Sequence, residues 1–252
     1  MKLKNKYSIL WTATIMFAII AVSVYANLAE NEKSKETVTL WDNKVIKNIS
    51  PKLENICKWI TYFLTERHQY EKQCVRKHLY VRNDGNGILS IPLLEGPKML
   101  TSGTRPFYLT WQGGKPAYQI RLYHQYERRP FIIQKLVENN LKIDNIILSQ
   151  GNYIIKIEDA ENRKLKKEFT VVNPNLLPCM PDEDRLRQSG LNKAAKITLY
   201  AAWLAAQNDG KWIFESYQRI AGITGDYYPA SLLCNALAEG QRPALFQGMN
   251  NE

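Results

Sequence analysis

Two alternating runs on either side of a glycine pair, RPFYLTWQGGKPAYQIRLY from Arg105 to Tyr123, constrain this chain more than any other feature. Before the glycines, Phe107, Leu109 and Trp111 fall on one face, and Tyr108, Thr110 and Gln112 on the other. After them, Tyr118, Ile120 and Leu122 oppose Gln119, Arg121 and Tyr123. A period of two with one apolar side marks strands that bury a single face, as in an antiparallel sheet. The same period starts at His78 in HLYVRNDGNGILSIPLL, around a turn at Asn83–Gly87. It continues in FIIQKLV from Phe131, KIDNIIL from Lys142, NYIIKIED from Asn152 and KLKKEFTVV from Lys164. About seven short strands at this spacing predict a β-sandwich over residues 78–172.

The segments flanking the strands follow a different period. Ser50 and Pro51 open a run in which Leu53, Ile56, Cys57, Ile60, Phe63 and Leu64 recur at helical spacing. This predicts an amphipathic helix over 50–77, with Ser50 as its cap. After the sandwich, NPNLLPCMPDEDR carries three prolines and reads as a linker over 173–190. Its acidic PDEDR supplies negative charge to a helix start. Residues 191–252 form a small helical module. One helix runs from Leu191 to Gln207, a turn follows at Asn208-Asp209-Gly210, and KWIFESYQRIAGI gives a second helix. Pro229 opens a third helix and Gly240 stops it. Trp203, Trp212, Phe214 and Tyr217 are read as core.

The first residues set the compartment. Lys2, Lys4 and Lys6 precede Tyr7–Tyr25, a stretch without a charged residue. Such a stretch spans a bilayer as a helix, with the lysines on the inner side. Residues 1–26 are therefore read as a signal anchor of the inner membrane, single-pass, with the rest of the chain in a bacterial periplasm. Cleavage after Ala26 is the alternative, leaving a periplasmic protein. Residues 27–49 are a polar linker. The chain has 252 residues and a formal charge of +10, and residues 33–172 hold 24 basic against 14 acidic side chains. We read that excess as a solvated basic face, since export argues against nucleic acid as a partner.

Within this frame, LSQGNYIIKIEDAENRKLKKEFTVV resembles the closing strands of an immunoglobulin-like or fibronectin type III-like domain, with Leu148, Gly151, Tyr153, Ile155 and Ile157 at the pattern positions. The resemblance covers residues 88–172. It implies that Tyr153 is the corner tyrosine and Trp111 the core tryptophan, and it implies binding or spacing more than catalysis. The helices around 191–222, with Trp203, Tyr217 and small alanines, resemble one tetratricopeptide-type hairpin. The fold class expected is thus α+β in several parts: anchor, amphipathic helix, antiparallel sandwich and helical module.

No catalytic signature occurs: there is no Gly-x-Ser-x-Gly, His-Glu-x-x-His, P-loop or Cys-x-x-Cys. Cys57, His68, Cys74 and His78 have the types of a zinc set, but not the spacing of familiar fingers, so no metal and no cofactor is expected. Cys57, Cys74, Cys179 and Cys234 allow three disulfide pairings. Cys57–Cys74 requires the first helix to break, and Cys179–Cys234 would staple the linker to the last helix. Free buried thiols at Cys57 and Cys234 compete equally. The candidate binding segment is LYHQYERRPF, whose Tyr123, His124, Tyr126, Arg128 and Arg129 are the residue types that binding hot spots favour. The expected function is non-catalytic: binding or scaffolding of a protein partner in an envelope complex. The alternatives are a cell-envelope polymer-binding protein or hydrolase, and a regulator acting through a membrane partner.

Overall fold

The computed structural model describes residues 51–78 and 87–244. The membrane segment 7–25, the cleavage position after Ala26, the linker 27–49, the Ser50 cap and most of the turn at 83–87 lie outside the described residues. Among the described residues no helix is long and apolar enough to cross a membrane. The protein is α+β, and Asn48–Glu252 forms one compact unit.

Helix α1 spans Pro51–His78 without interruption. Its stripe of Leu53, Ile56, Cys57, Ile60 and Leu64 is at most 2% exposed, and Phe63 is half-buried. Spacings of three and four put these side chains on one line of the helix surface, so the stripe can be covered by other helices. Its covers are α3, Lys193–Ala206, and α5, Tyr228–Ala238. Arg67, only 4% exposed, closes this contact. Both of its terminal nitrogens donate to the Glu239 carboxylate at 2.7 Å, at the end of α5. A carboxylate at a helix C-terminus opposes the helix dipole, so Arg67 neutralises an otherwise unfavourable charge there.

Of the strand run expected from His78, residues 79–86 lie outside the described residues, and residues 88–94 form no strand. His78 ends α1, Pro92–Leu94 is a 3-10 turn, and Ser90 makes only an isolated bridge to Gln112. Prolines at 92 and 97 bracket this segment and remove ladder donors, which breaks any strand between them. Seven strands follow: β1 Met99–Thr101, β2 Gly103–Thr110, β3 Tyr118–His124, β4 Ile132–Leu136, β5 Asn140–Leu148, β6 Gly151–Glu158 and β7 Lys164–Val172. One sheet has the order β1-β7-β6-β3-β4, and the other is the pair β2-β5. All neighbours are antiparallel except β1 and β7.

The two alternating runs bury the faces their period indicates. Phe107, Leu109, Trp111, Tyr118, Ile120 and Leu122 are all at most 2% exposed. Trp111 and Tyr118 meet edge to face at 5.2 Å, the arrangement aromatic quadrupoles favour. Gly113 turns the chain with φ +67, and a Cβ there would lie 2.4 Å from the Ile88 oxygen. Only glycine fits that approach. The turn is held to the β6–β7 hairpin by Asp159, 4% exposed. Its carboxylate accepts from the Lys115, Glu161 and Arg163 backbone N–H groups and from Arg163 Nε, at 2.7–3.0 Å.

The segment 173–190 is not a bare linker. It holds a 3-10 turn at Pro174–Leu176 and the short helix α2, Glu183–Gln188, which starts with Glu183 and Asp184. Helix α3 is capped by Asn192, whose side chain accepts from Ala195 N–H at 2.7 Å. The turn to α4, Ile213–Ile220, uses left-handed φ at Asn208, Asp209 and Gly210 (50, 53 and 74). Asn and Asp tolerate this region better than other side chains. Trp203, Trp212, Phe214 and Tyr217 all lie in the core.

Helix α4 packs on β1 and β2, joining helices to sheets. Pro106 coincides with a register shift in β2 between Arg105 and Phe107, where a strand tolerates proline. Two residues on, Gln218 takes the place of a neighbouring strand. Its Oε1 accepts from Tyr108 N–H at 2.8 Å, and its Nε2 donates to the Tyr108 carbonyl at 2.6 Å. One turn earlier Glu215, 1% exposed, accepts from Thr101 N–H at 2.9 Å, Arg105 Nη1 at 2.7 Å and Arg219 Nε at 2.8 Å. Burial pushes its carboxyl up, but the two guanidiniums and the Thr101 N–H outweigh this and hold it below the ordinary range.

Candidate functional site

The segment Tyr123–Arg129 begins in β3 and ends in the turn toward β4. Its five candidate residues do not converge. Successive side chains of a strand point to opposite faces, so Tyr123 and His124 part company at once. The Tyr123 ring lies under the Lys156 ammonium at 4.7 Å. The half-buried His124 packs edge-on against Tyr153 at 5.1 Å. It also lies over Gly151, where a Cβ would sit 2.6 Å from its Nε2. These contacts make His124 a packing residue at the end of the sheet.

The remaining three share one loop. Tyr126 is 83% exposed, and Arg128 and Arg129 are exposed. The loop starts with a turn in which Glu127 N–H donates to the His124 carbonyl at 2.9 Å. Among the described residues neither arginine has an ion-pair partner. A phenol and two guanidiniums on a turn held by a packed strand can receive a carboxylate or phosphate, or stack on a planar group.

Two surface depressions are different. A groove of about 510 Å³ runs between Gly96–Lys98 and Lys166–Thr170. Its cations are already occupied: Lys167 pairs with Glu95 at 2.5 Å, Lys166 with Glu168 at 2.6 Å, and Lys98 donates to the Glu95 carbonyl. Burial, with Arg242 nearby, lowers the Lys98 pKa despite Glu95. A second cleft of about 490 Å³ lies beside Tyr200, with Leu186 and Ile197 on its walls. There Arg187 pairs with Glu183 at 2.6 Å, and Arg219 lies over the Tyr200 ring at 5.1 Å while bonding Glu215.

Among the described residues no group of three His, Cys, Asp or Glu side chains can hold a metal ion. Cys57 and His68 are eleven residues apart on one helix, about 16.5 Å along its axis, too far to share an ion. The same continuity excludes a Cys57–Cys74 disulfide within the chain. Seventeen residues of unbroken helix separate them by about 25 Å, against the 4–7 Å that a disulfide spans. Cys179 and Cys234 are not joined either: Cys57, Cys179 and Cys234 are free, the first and last buried, Cys179 exposed. Burial pushes the Cys57 and Cys234 thiols up to about 12. They are inert fillers of helix faces.

The sequence reading did not single out Glu215 and Gln218, the buried polar residues that tie α4 to the strands. The available signal was two polar residues three apart in a helix whose Ile213, Phe214, Tyr217 and Ile220 all face the core. No protein-family model matches this chain, and no curated protein matches it in sequence.

Proposed function

We propose that this is a non-catalytic binding or scaffold protein, anchored in the inner membrane by residues 7–25 and carrying its folded unit in the periplasm. The Tyr126-Arg128-Arg129 loop is its contact with a protein partner. The observation that carries this reading is the loop itself: a tyrosine 83% exposed beside two exposed arginines that have no ion-pair partner among the described residues. Exposed aromatic and arginine side chains on an ordered turn are the chemistry of protein recognition.

In this reading the two sheets are an immunoglobulin-like sandwich, with β2-β5 as strands B and E and β3-β6-β7 as strands C, F and G. The Tyr153 hydroxyl supports it. It donates to the Ser149 carbonyl four residues upstream at 2.9 Å, as a corner tyrosine does. Trp111 departs from the pattern, since it enters the core from the end of β2 and not from the third strand. Such sandwiches present loops from a rigid frame, which suits a binding role.

The experiment is in-cell photo-crosslinking from position 126 of the full chain, with mass spectrometry of the adducts. A discrete protein adduct, lost when Arg128 and Arg129 are both changed to Glu, is expected. Adducts to glycan or lipid alone would transfer the protein to the polymer-binding class. No adduct would remove the loop from any contact.

A further inference from the structure

Strand β4 is the open edge of the five-stranded sheet, and its segment carries Phe131, Ile133 and Val137 at 42%, 55% and 71% exposure. A hydrophobic edge left uncovered is a template for another strand. Which backbone groups it offers follows from the ladders. Gln125 N–H donates to the Asn152 carbonyl, in step with the β3–β6 pairing of His124 with Tyr153. In an antiparallel strand, residues alternate between the two neighbours. Gln119, Arg121 and Tyr123 therefore bond β6, while Ile120 and Leu122 bond β4. Opposite these stand Gln134 and Ile132. Ile132, Gln134 and Leu136 thus turn inward to β3, and Ile133 and Lys135 hold N–H and C=O toward the open side.

The segment Phe131–Val137, FIIQKLV, is nearly symmetric about Gln134. We infer that β4 pairs antiparallel with β4 of a second copy, with Gln134 opposite Gln134 on a two-fold axis. Ile133 then faces Lys135, Ile132 faces Leu136, and Phe131 faces Val137. The alternation of bonding groups permits only even shifts. A shift of the pairing sum by two in one direction sets Lys135 against Lys135, like charges that destabilise a sheet pair. In the other direction it sets Lys135 against Phe131, whose N–H is already donated to the Leu122 carbonyl, so one register stands out. A two-fold pairing also closes on itself and consumes both edges. The open edge of β5 lacks this symmetry, since Lys142, Asp144 and Asn145 interrupt its apolar residues.

Gln134 sits at a non-hydrogen-bonded position of the new pair, where opposed Cα atoms lie about 4.5 Å apart, within disulfide range. The test uses the full chain with Cys179→Ser, carrying either Gln134→Cys or, as control, Glu161→Cys. Each is purified in mild detergent, oxidised with copper phenanthroline and run on a non-reducing gel. A disulfide dimer at 134 in at least ten-fold excess over the control is expected. Adding Ile133→Pro should abolish it, because that N–H points away from β3 and its loss spares the internal ladder. Unchanged near-ultraviolet circular dichroism would show that the fold survives. Equal dimer at both cysteines, or a dimer indifferent to Ile133→Pro in a folded protein, would overturn the pairing.

Discussion

The edges of β2 and β4 are treated in opposite ways. Along β2, helix α4 supplies Gln218 to both backbone polar groups of Tyr108 and Glu215 to the Arg105 guanidinium, and at the end of β1 Glu215 also takes the Thr101 N–H. Along β4 nothing among the described residues covers the outward groups, and apolar side chains stand exposed. A sheet edge closed by side chains belongs to the core and fails when one of them is removed. An edge left open contributes little to the fold and is available for contact.

The largest way to break this contrast is Glu215→Ala. It leaves Arg105 and Arg219 facing each other across a buried site, with Thr101 N–H unpaired, and should cost about 3 kcal/mol in urea denaturation. A loss under ~1 kcal/mol would deny the carboxylate its role. Gln218→Ala should follow at roughly 1–2 kcal/mol, because Tyr108 keeps two half-buried backbone groups without their partner. On the bare edge, Lys135→Ala should move the folding free energy by less than about 0.5 kcal/mol.

Acid sharpens the comparison. Glu215 is held low by its cations against the effect of burial. Asp159 is also held low, its Lys115, Arg163 and Glu161 donors overcoming burial. A carboxyl whose folded pKa is depressed stabilises fully above its unfolded value and loses that stabilisation as pH falls through the folded one. Thermal midpoints should therefore be flat from pH 7 to about 5 and fall below about pH 4. Glu215→Gln should make that fall shallower, and an unchanged slope would count against its depressed pKa. The smallest effect concerns thiols. In the folded protein a maleimide should modify Cys179 and spare Cys57 and Cys234 until denaturant is added, with no change in stability. Rapid native labelling of all three would contradict the burial.

The sequence made the faces of β2 and β3 and the stripe of α1 legible because their periods are local. Phe107, Ile120 and Ile60 announce burial through neighbours two to four residues away. Strand β1 was missed because three residues have no period, and its partner β7 lies some seventy positions on. The bonds of Glu215 and Gln218 to the strands were not legible because those partners are more than a hundred residues distant. The candidate segment was misjudged in the reverse sense. Five promising residues adjoin in sequence, yet the pleat sends Tyr123 and His124 away from the loop that keeps Tyr126, Arg128 and Arg129.

The long partnership of α1 with α5 has a consequence for synthesis. The apolar stripe ending at Leu64 is made before both of its covers, residues 193–206 and 228–238. At typical elongation rates the first of them, complete at Ala206, follows Leu64 by roughly 7–28 s. During that time the stripe has no native partner in its own chain, so this helix is the segment of the nascent protein most in need of a chaperone's shelter.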